Sequence, residues 1–214
     1  MPEFETPLVD EPVEPRLLHG ERVLEGRVWD IRRETFEYLG VPVTRDFVDH
    51  TGAVGVLALD EHDRVLLIRQ YRHPIRMRDW EIPAGLLDVA GESPLLAAQR
   101  ELAEEADLEA SEWAVLADLH TSPGGSDEAI RVFLARGLRA TTQAYARTDE
   151  EADMAIRWVD LDECVDAVLA RRLSNAPLQI AVLAAAAARA RDWATLAPAD
   201  APWAGKAGRE ASGA

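Results

Sequence analysis

Residues 81–108 join the end of a predicted strand, a glycine-containing loop and an acidic helix in one continuous segment. The sequence of this segment is EIPAGLLDVAGESPLLAAQRELAEEADL. Successive helical residues are rotated by about 100°, so Glu104 and Glu105 lie within about 60° of Glu101 and the three carboxylates share one face. An adjacent apolar stripe would seat the helix on a core, and it consists of Leu95, Ala98, Leu102 and Ala106.

The acidic face has two interpretations. Like charges one turn apart destabilise an isolated helix by roughly a few tenths of a kcal/mol, so the crowding of Glu101, Glu104 and Glu105 favours a bound cation. Mg²⁺ and Mn²⁺ prefer carboxylate oxygens and often bridge to phosphate. Acid-rich helix faces are also often simply solvated. The three glutamates alone therefore do not decide between a metal site and a solvent-facing surface.

The composition excludes several classes of protein. The chain has 214 residues, of which 48% are hydrophobic, enough for one domain with a substantial core. A net charge of −16 argues against a broad nucleic-acid-binding surface, which would be basic. The single cysteine, Cys164, excludes an intrachain disulfide and fits a reducing cytoplasm. Because we find neither a secretory signal pattern nor a membrane-length apolar run, we expect a cytoplasmic protein without membrane contact.

The pattern along the chain predicts four parts. Residues 1–19 are expected to be a disordered tail, because residues 1–15 contain five acids, four prolines and no basic residue. Residues 20–48 show period-two alternation and predict an N-terminal β subdomain. Residues 49–195 should form the main α/β domain. Residues 196–214, which are rich in Ala and Gly, should be a flexible C-terminal tail.

Within the main domain, residues 52–59 and 64–71 are predicted to be two strands that pair as a hairpin across residues 60–63. Further strands are expected at 111–123, 130–135 and 156–159. Helices are expected from Asp160 to Arg171, with Asp160 or Asp162 as the N-cap, and from Asn175 to Trp193.

Two polar segments around residues 81–108 carry candidate ligand-binding groups. Residues 69–78 contain four arginines, which fit either a solvated loop or phosphate and carboxylate recognition by guanidinium groups. Residues 122–128 form a Gly-Gly loop that is an ordinary turn on its own, but Glu128 could reach a ribose hydroxyl if a pyrophosphate bound nearby. Trp29 is either a core residue or a platform on which a planar ring stacks.

Residues 139–155 form a polar connection with acids at Asp149, Glu150, Glu151 and Asp153. Such a loop is often only solvent-facing. In an enzyme that hydrolyses a phosphoanhydride, a carboxylate on the loop could orient or deprotonate water.

Together these segments resemble the Nudix hydrolase family. The family motif, Gly-x5-Glu-x7-Arg-Glu-U-x-Glu-Glu-x-Gly-U with U aliphatic, is matched by Gly85, Glu92, Arg100, Glu101, Leu102, Glu104, Glu105 and Leu108. The chain departs from the motif twice: six residues separate Gly85 from Glu92, and Asp107 replaces the final glycine. Asp107 should affect how the helix ends, because glycine is usual in a left-handed cap. The flanking residues, in 70–72, 80–85 and 122–125, resemble the ADP-ribose pyrophosphatases of this family, and the loop GLLDVAGE resembles their actinobacterial form.

The resemblance implies an α/β/α sandwich around a mixed β-sheet, with an added N-terminal antiparallel sheet, and a Mg²⁺ or Mn²⁺ cofactor. It implies metal ligation by Glu101, Glu105 and the carbonyl of Ala84, with Glu104 completing the cluster or holding metal-bound water. It implies that Glu92 pairs with Arg100 and that Glu150, or otherwise Glu151, activates water. Substrate contacts would come from Trp29, Arg32, Arg72 and Glu128.

The implied reaction is the hydrolysis of ADP-ribose to AMP and ribose 5-phosphate by a homodimer whose N-terminal strands exchange. Two alternatives remain open at this point. The substrate could be another nucleoside diphosphate sugar or a dinucleotide, because the motif recognises the diphosphate rather than its flanking groups. A non-catalytic ligand-sensing domain is the second alternative, although such domains usually lose the carboxylates that are present in this sequence.

Overall fold

The computed structural model describes residues 8–142 and 154–203. Eleven strands and three helices follow one another in these ranges. The strands are β1 (Arg16–Leu24), β2 (Asp30–Tyr38), β3 (Val41–Asp49), β4 (Ala53–Ala58), β5 (Arg64–Arg72), β6 (Met77–Glu81), β7 (Ala84–Leu86), β8 (Leu108–His120), β9 (Ala129–Ala140), β10 (Ala155–Asp160) and β11 (Ala197–Pro198). The helices are α1 (Pro94–Ala106), α2 (Leu161–Leu169) and α3 (Ala176–Arg189).

The central sheet has five strands in the order β11-β8-β9-β4-β7. β4 and β9 are parallel and the other neighbours are antiparallel, so the sheet is mixed. A second sheet has the order β10-β5-β6, and the N-terminal sheet has the order β1-β2-β3. The predicted α/β class, with a mixed sheet and an additional N-terminal antiparallel sheet, is confirmed.

Alternation along the strands divides the core into two layers, because successive side chains point to opposite faces of a sheet. On β4, Val54 and Val56 contribute to one apolar cluster together with α1, whereas Leu57 contributes to the other cluster together with α2 and α3. The helices therefore cover both faces of the sheets. The α1 side is the one that carries the acidic glutamates.

The predicted hairpin of residues 52–59 and 64–71 is wrong. Both strands form, but β4 pairs with β7 and β9 while β5 pairs with β6 and β10. A single bridge between Leu59 and Val65 is what remains of the hairpin contact. β4 is buried at every position, as expected of a strand whose two faces are covered, and its two edges are occupied by β7 and β9, so β5 pairs in another sheet.

The N-terminal sheet stands apart from this core. Every residue of β1 is exposed, and the sheet joins the main domain at the end of β3, where the Val48 N–H donates to the Gly125 carbonyl at 3.0 Å. The first strand begins at Arg16, within the range 1–19 that was predicted to be a disordered tail. The last strand, β11, lies within the range 196–214 that was predicted to be a flexible tail. None of the helices in the described ranges is long and apolar enough to cross a membrane.

Candidate active site

Local sequence signals fix both ends of α1. Pro94 occupies the first turn, and the Ser93 hydroxyl accepts a hydrogen bond from the Leu96 N–H at 3.3 Å, as expected of an N-cap. Asp107 ends the helix in the left-handed conformation, with φ 53° and ψ 36°, and its N–H donates to the Ala103 carbonyl at 3.0 Å. The expectation that Asp107 occupies a position usually taken by glycine is confirmed.

Two glutamates dock α1 onto β7. Oε2 of Glu105, a residue only 4% exposed, accepts a hydrogen bond from the Ala84 N–H at 2.8 Å. Glu101 lies against Gly85 so closely that a Cβ at residue 85 would be 1.9 Å from Glu101 Oε1. Gly85 is thus needed for a close approach and not for an unusual backbone angle. Both carboxylates are therefore held beside the Ala84–Gly85 backbone.

Arg100 links the remaining acids of the motif. Its Nε and Nη2 donate to the two oxygens of Glu92 at 3.0 Å each, and its Nη1 donates to Glu101 at 2.6 Å and Glu104 at 3.1 Å. The hydrogen bonds to Glu92 raise the pKa of the Arg100 guanidinium above its ordinary value and lower the pKa of the Glu92 carboxyl. Arg100 therefore compensates part of the negative charge that the helix face concentrates.

The donors beside β7 have the chemistry that a hard divalent cation requires. Glu101 and Glu105 bring carboxylate oxygens to β7, the Ala84 carbonyl is a further oxygen ligand, and Gly85 leaves the space that lets Glu101 approach. Glu104 lies on the same helix, where it binds Arg100. In the described ranges, however, no three His, Cys, Asp or Glu side chains are placed so that they could hold a metal ion. In this conformation Glu101 and Glu104 turn towards Arg100. Convergence on a metal would require these two side chains to rotate.

Arg72, predicted to contact substrate, is paired with Glu81. Its Nε and Nη2 donate to Glu81 Oε1 and Oε2 at 2.7 Å each. Gln70 Nε2 lies 3.5 Å from the same carboxylate. Asp79 is also buried on this hairpin, and its burial, followed by the charge of Glu81, raises the pKa of its carboxyl. The arginine-rich segment is therefore partly an ordered hairpin and not only a solvated loop.

Trp29 and Glu128 are brought together by a residue that the sequence did not single out. Trp29 stacks on His50 with ring centroids 5.0 Å apart and an interplanar angle of 18°. His50 Nε2 lies 3.3 Å from Glu128 Oε1, and the Thr121 hydroxyl bonds to Oε2 of the same carboxylate. His50 Nδ1 accepts from the Gly52 N–H at 3.0 Å, which places the proton of a neutral imidazole on Nε2.

The other predicted site residues lie elsewhere or outside the described ranges. Arg32 is on β2, with Nε 3.6 Å from Glu34 and Nη1 3.6 Å from Asp49. Its Nε is buried and has no hydrogen-bond acceptor among the residues that the structure describes. Glu150 and Glu151 fall in residues 143–153, outside the described ranges.

Sequence reasoning missed His50 and Glu81 as members of the site. Glu81 contacts Arg72 across the β5–β6 hairpin, and His50 contacts Glu128 from a distant part of the chain. Each pair depends on how strands and loops meet, so a local pattern did not reveal it. A signal existed for Glu81, because it is a carboxylate at the end of a strand that leads directly into the Ala84–Gly85 turn. His50 gives a weaker signal, as a polar residue between the end of one strand and Gly52.

Comparison with known proteins agrees with this architecture. The model of the NUDIX domain matches residues 49–179. The chain is 43% identical over 187 residues to the ADP-ribose pyrophosphatase of Mycobacterium tuberculosis, covering 87% of this chain and 89% of that protein. It is 34% identical to the methanol dehydrogenase activator of Bacillus methanolicus, covering 79% of this chain and 91% of the relative.

A solved structure described as an ADP compounds hydrolase has a similar fold, with a TM-score of 0.68 and 21% identity over 86% of this chain and 96% of its own. The fold match therefore extends beyond the residues that carry the acidic motif. Since the domain model spans more than half of the sequence and sits on the helix and turn that gather the carboxylates, the chain belongs to the Nudix hydrolase family.

Proposed function

We propose that this protein hydrolyses ADP-ribose to AMP and ribose 5-phosphate with Mg²⁺ or Mn²⁺ as cofactor. The observation that carries the proposal is the docking of Glu105 on the Ala84 N–H and of Glu101 against Gly85, which gathers oxygen donors at one end of β7. Hydrolases of the family generally need a divalent metal ion, and a relative 43% identical to this chain is named an ADP-ribose pyrophosphatase.

Glu101, Glu105 and the Ala84 carbonyl are the proposed metal ligands, and Glu104 completes the set. A bound divalent ion would neutralise charge on the pyrophosphate and lower the pKa of a bound water. Glu92 holds Arg100, and Arg100 binds Glu101 and Glu104 in the absence of metal, so these two carboxylates would turn from Arg100 to a bound ion while Glu92 keeps Arg100 beside them. Such indirect contacts orient the groups that bind a metal directly.

Arg72, Glu128, Trp29 and Arg32 are the proposed substrate contacts. The Arg72 guanidinium is suited to a phosphate oxygen, and Glu128 to a ribose hydroxyl. Trp29 is 41% exposed, so part of its ring surface is accessible to a base. Support for a composite substrate site comes from His50, which contacts both Trp29 and Glu128.

Glu150 is the proposed group that orients or deprotonates the attacking water, with Glu151 as the alternative. A carboxylate in this role must come within hydrogen-bond distance of the water. Replacing both with glutamine should remove most of kcat while leaving the unfolding transition unchanged. Full activity in the Glu150→Gln/Glu151→Gln double variant would exclude this loop as the source of the base.

The proposal includes a cytoplasmic homodimer that acts on a small molecule and not on nucleic acid. The exposed N-terminal sheet supports a partner, and the net charge of −16 is unfavourable for binding a polyanion. Trp29 stacks on His50 of its own chain; if the N-terminal strands exchange between protomers, Trp29 would take the equivalent position in the partner's site.

The decisive test is AMP release from ADP-ribose by the purified protein, with and without EDTA, beside a panel of nucleoside diphosphate sugars and NADH. We expect ADP-ribose to give the highest kcat/KM and EDTA to abolish turnover. If another compound in the panel has a higher kcat/KM, that compound and not ADP-ribose is the preferred substrate, and the reaction class remains hydrolysis of a diphosphate.

Glu105→Gln tests the metal assignment. Turnover should fall by at least roughly 100-fold, since even residues that only orient a metal ligand are worth about 10- to 100-fold. Glu109→Gln is the matched control, because Glu109 is a partly exposed glutamate that pairs with Arg139 on the neighbouring strand. Near wild-type turnover in Glu105→Gln would remove this residue from the proposed ligand set.

A further inference from the structure

Glu81 is a buried carboxylate that holds a partly exposed arginine. Glu81 is 5% exposed, whereas the Arg72 side chain retains 41% of its exposure. Both oxygens of Glu81 accept hydrogen bonds, one from Nε and one from Nη2 of Arg72. This two-point contact fixes the plane of the guanidinium and not only its position.

Glu81 is much more buried than Arg72, so this pair differs from a surface ion pair in which both side chains are exposed. A carboxylate that leaves water is destabilised unless a cation compensates it, so Glu81 requires Arg72. Arg72 keeps access to solvent and has no equivalent need of Glu81. In the Arg139–Glu109 pair, by contrast, both side chains are exposed, at 77% and 43%. Glu81 is therefore a buried carboxylate that binds one edge of the Arg72 guanidinium.

The neighbours of Glu81 strengthen its dependence on Arg72. Gln70 lies 3.5 Å away, at the limit of a hydrogen bond, and cannot balance a charge. Asp79 is 8% exposed and stands opposite Gln70 in the β5–β6 register, so a second acid faces the same space. Burial, followed by the charge of Glu81, raises the pKa of the Asp79 carboxyl. Neither Gln70 nor Asp79 supplies a positive charge, so Arg72 is the counter-ion of Glu81 among these residues.

The position of Glu81 connects the cluster to the candidate active site. β6 ends at Glu81 and β7 begins at Ala84, whose N–H is bound by Glu105. Three extended residues span at most roughly 10 Å, so the support of Arg72 lies close to the proposed metal ligands. The guanidinium that Glu81 holds is therefore on the pair of strands that leads into the proposed metal site.

We propose that Glu81 is a positioning residue that orients Arg72 towards the diphosphate of the substrate. The inference rests on the proposed function for the class of substrate, a nucleoside diphosphate. Glu81 does not touch the substrate; it removes the rotational freedom of the guanidinium before binding, so less entropy is lost when an anion binds. Its loss should weaken binding and leave the chemical step almost unchanged.

The test is a double-mutant cycle on Glu81→Gln and Arg72→Ala, read by calorimetric titration with α,β-methylene-ADP and Mg²⁺. This analogue lacks a cleavable P–O–P bridge, so its Kd reports recognition without hydrolysis. We expect Glu81→Gln to raise Kd about tenfold, the scale of one hydrogen bond to a charged group. The double variant should bind as weakly as Arg72→Ala alone, because Glu81 acts through Arg72. Glu109→Gln should bind like the wild type.

A purely structural role for Glu81 predicts a different outcome. In that case Glu81→Gln would lower the urea midpoint of unfolding but leave Kd unchanged, or it would weaken binding by the same factor in the presence and absence of the Arg72 side chain. Either result overturns the proposal. If Glu81→Gln does not fold, Glu81→Asp is the variant to measure, because it keeps the buried charge but withdraws the carboxylate from Arg72. A wild-type Kd for Glu81→Asp would also overturn the proposal. Failure of the wild type to release AMP from ADP-ribose would contradict the proposed reaction, while the binding cycle still tests Glu81.

Discussion

Gly85 shows at the scale of one residue why the acidic motif needs a glycine before its helix. A methyl group at this position would lie 1.9 Å from Glu101 Oε1 and 2.5 Å from Glu101 Cγ, so Glu101 would have to move. The glycine is not in the left-handed region, and its value is the space that it leaves. The sequence motif therefore encodes a contact between a strand and a helix.

Gly85→Ala should inactivate the enzyme and leave it folded. A displacement of about 1 Å in a catalytic group can cost roughly 100-fold in rate, and we expect a loss of kcat of that order. Gly124→Ala is the matched control, because a Cβ at Gly124 would have no neighbour within 4 Å. Steady-state kinetics and thermal melts of both variants give the comparison. Equal turnover in the two would contradict the proposed role of the Glu101 position.

Glu92 should make stability depend on pH in the acidic range. Arg100 lowers the pKa of the folded Glu92 carboxyl, so the stabilisation is complete above the unfolded value of about 4.3 and is lost as pH falls through the lower folded pKa. Glu92→Gln should therefore flatten the decline in urea midpoint between about pH 5 and pH 3. Glu11→Gln, at an exposed position outside the strands and helices, is the control. An equal decline in Glu92→Gln and wild type would contradict the pairing.

At the scale of elements, short-range patterns were sufficient for α1 and insufficient for the sheets. Leu102 and Ala106 are buried as their helical spacing predicts, and Pro94 and Ser93 mark the start of the helix. The pairing of β4 with β9 could not be predicted in the same way, because it joins Ala53 to Ile130 across a long stretch of chain. The apolar run of β4 identifies a buried strand but not its neighbours.

The same limit applies to the candidate site. The contact of Arg100 with Glu92 was implied by the resemblance to the family motif, in which both residues belong to one short segment. The contact of Arg72 with Glu81 depends on β5–β6 pairing, and that of His50 with Glu128 depends on how β3 meets the 122–128 loop. These contacts are set by packing of elements, so the sequence supplied the candidate residues but not their partners.

The end of α1 offers a test of backbone conformation at the element scale. Asp107 has φ 53°, a region that costs an ordinary side chain about 1–2 kcal/mol and glycine almost nothing. Asp107→Gly should therefore be more stable than Asp107→Ala by about 1 kcal/mol. Both variants remove the carboxylate, so their difference isolates the Cβ. Equal urea midpoints for the two would show that the cap geometry carries no strain.

At the scale of the whole molecule, the C-terminal segment is tied to the central sheet by Arg131. This residue is 3% exposed, pairs with Asp118 through two nitrogens and donates to the carbonyls of Ala201 and Pro202 at 2.6 and 3.0 Å. Its guanidinium also lies 5.1 Å from the Trp203 ring centroid. Residues 201–203 are therefore part of the folded domain, although composition predicted a flexible tail from residue 196.

Truncation after Asp200 should destabilise the protein. It removes two carbonyl acceptors of Arg131: Nη2 keeps its bond to Asp118, whereas Nη1 loses the carbonyl of Ala201, and a buried donor left without a partner costs about 1–3 kcal/mol. A chain that ends at Trp203 is the control, because it keeps the carbonyls of Ala201 and Pro202 and the tryptophan ring. The measurement is the free energy of unfolding in urea. If both truncated chains unfold at the same urea concentration, the Arg131 contacts do not stabilise the fold.

The N-terminal sheet gives the molecule an apolar surface that its own core does not cover. Leu17 and Leu24 on β1 are 52% and 58% exposed, and a three-stranded sheet normally needs packing on one face to be stable. Large exposed apolar patches usually mark an interface. A second copy of the chain would cover this surface and would account for a sheet that meets its own main domain at the end of β3.

Leu17→Asp/Leu24→Asp should therefore convert the proposed dimer into a monomer, because two charges would be buried without partners at the interface. Light scattering coupled to size-exclusion chromatography measures the mass directly. Leu169→Asp/Leu183→Asp is the matched control, since these leucines are 63% and 40% exposed on α2 and α3, away from the sheet. If Trp29 serves the partner's site, the first variant should also raise KM for ADP-ribose. A wild-type mass of one chain would contradict the dimer.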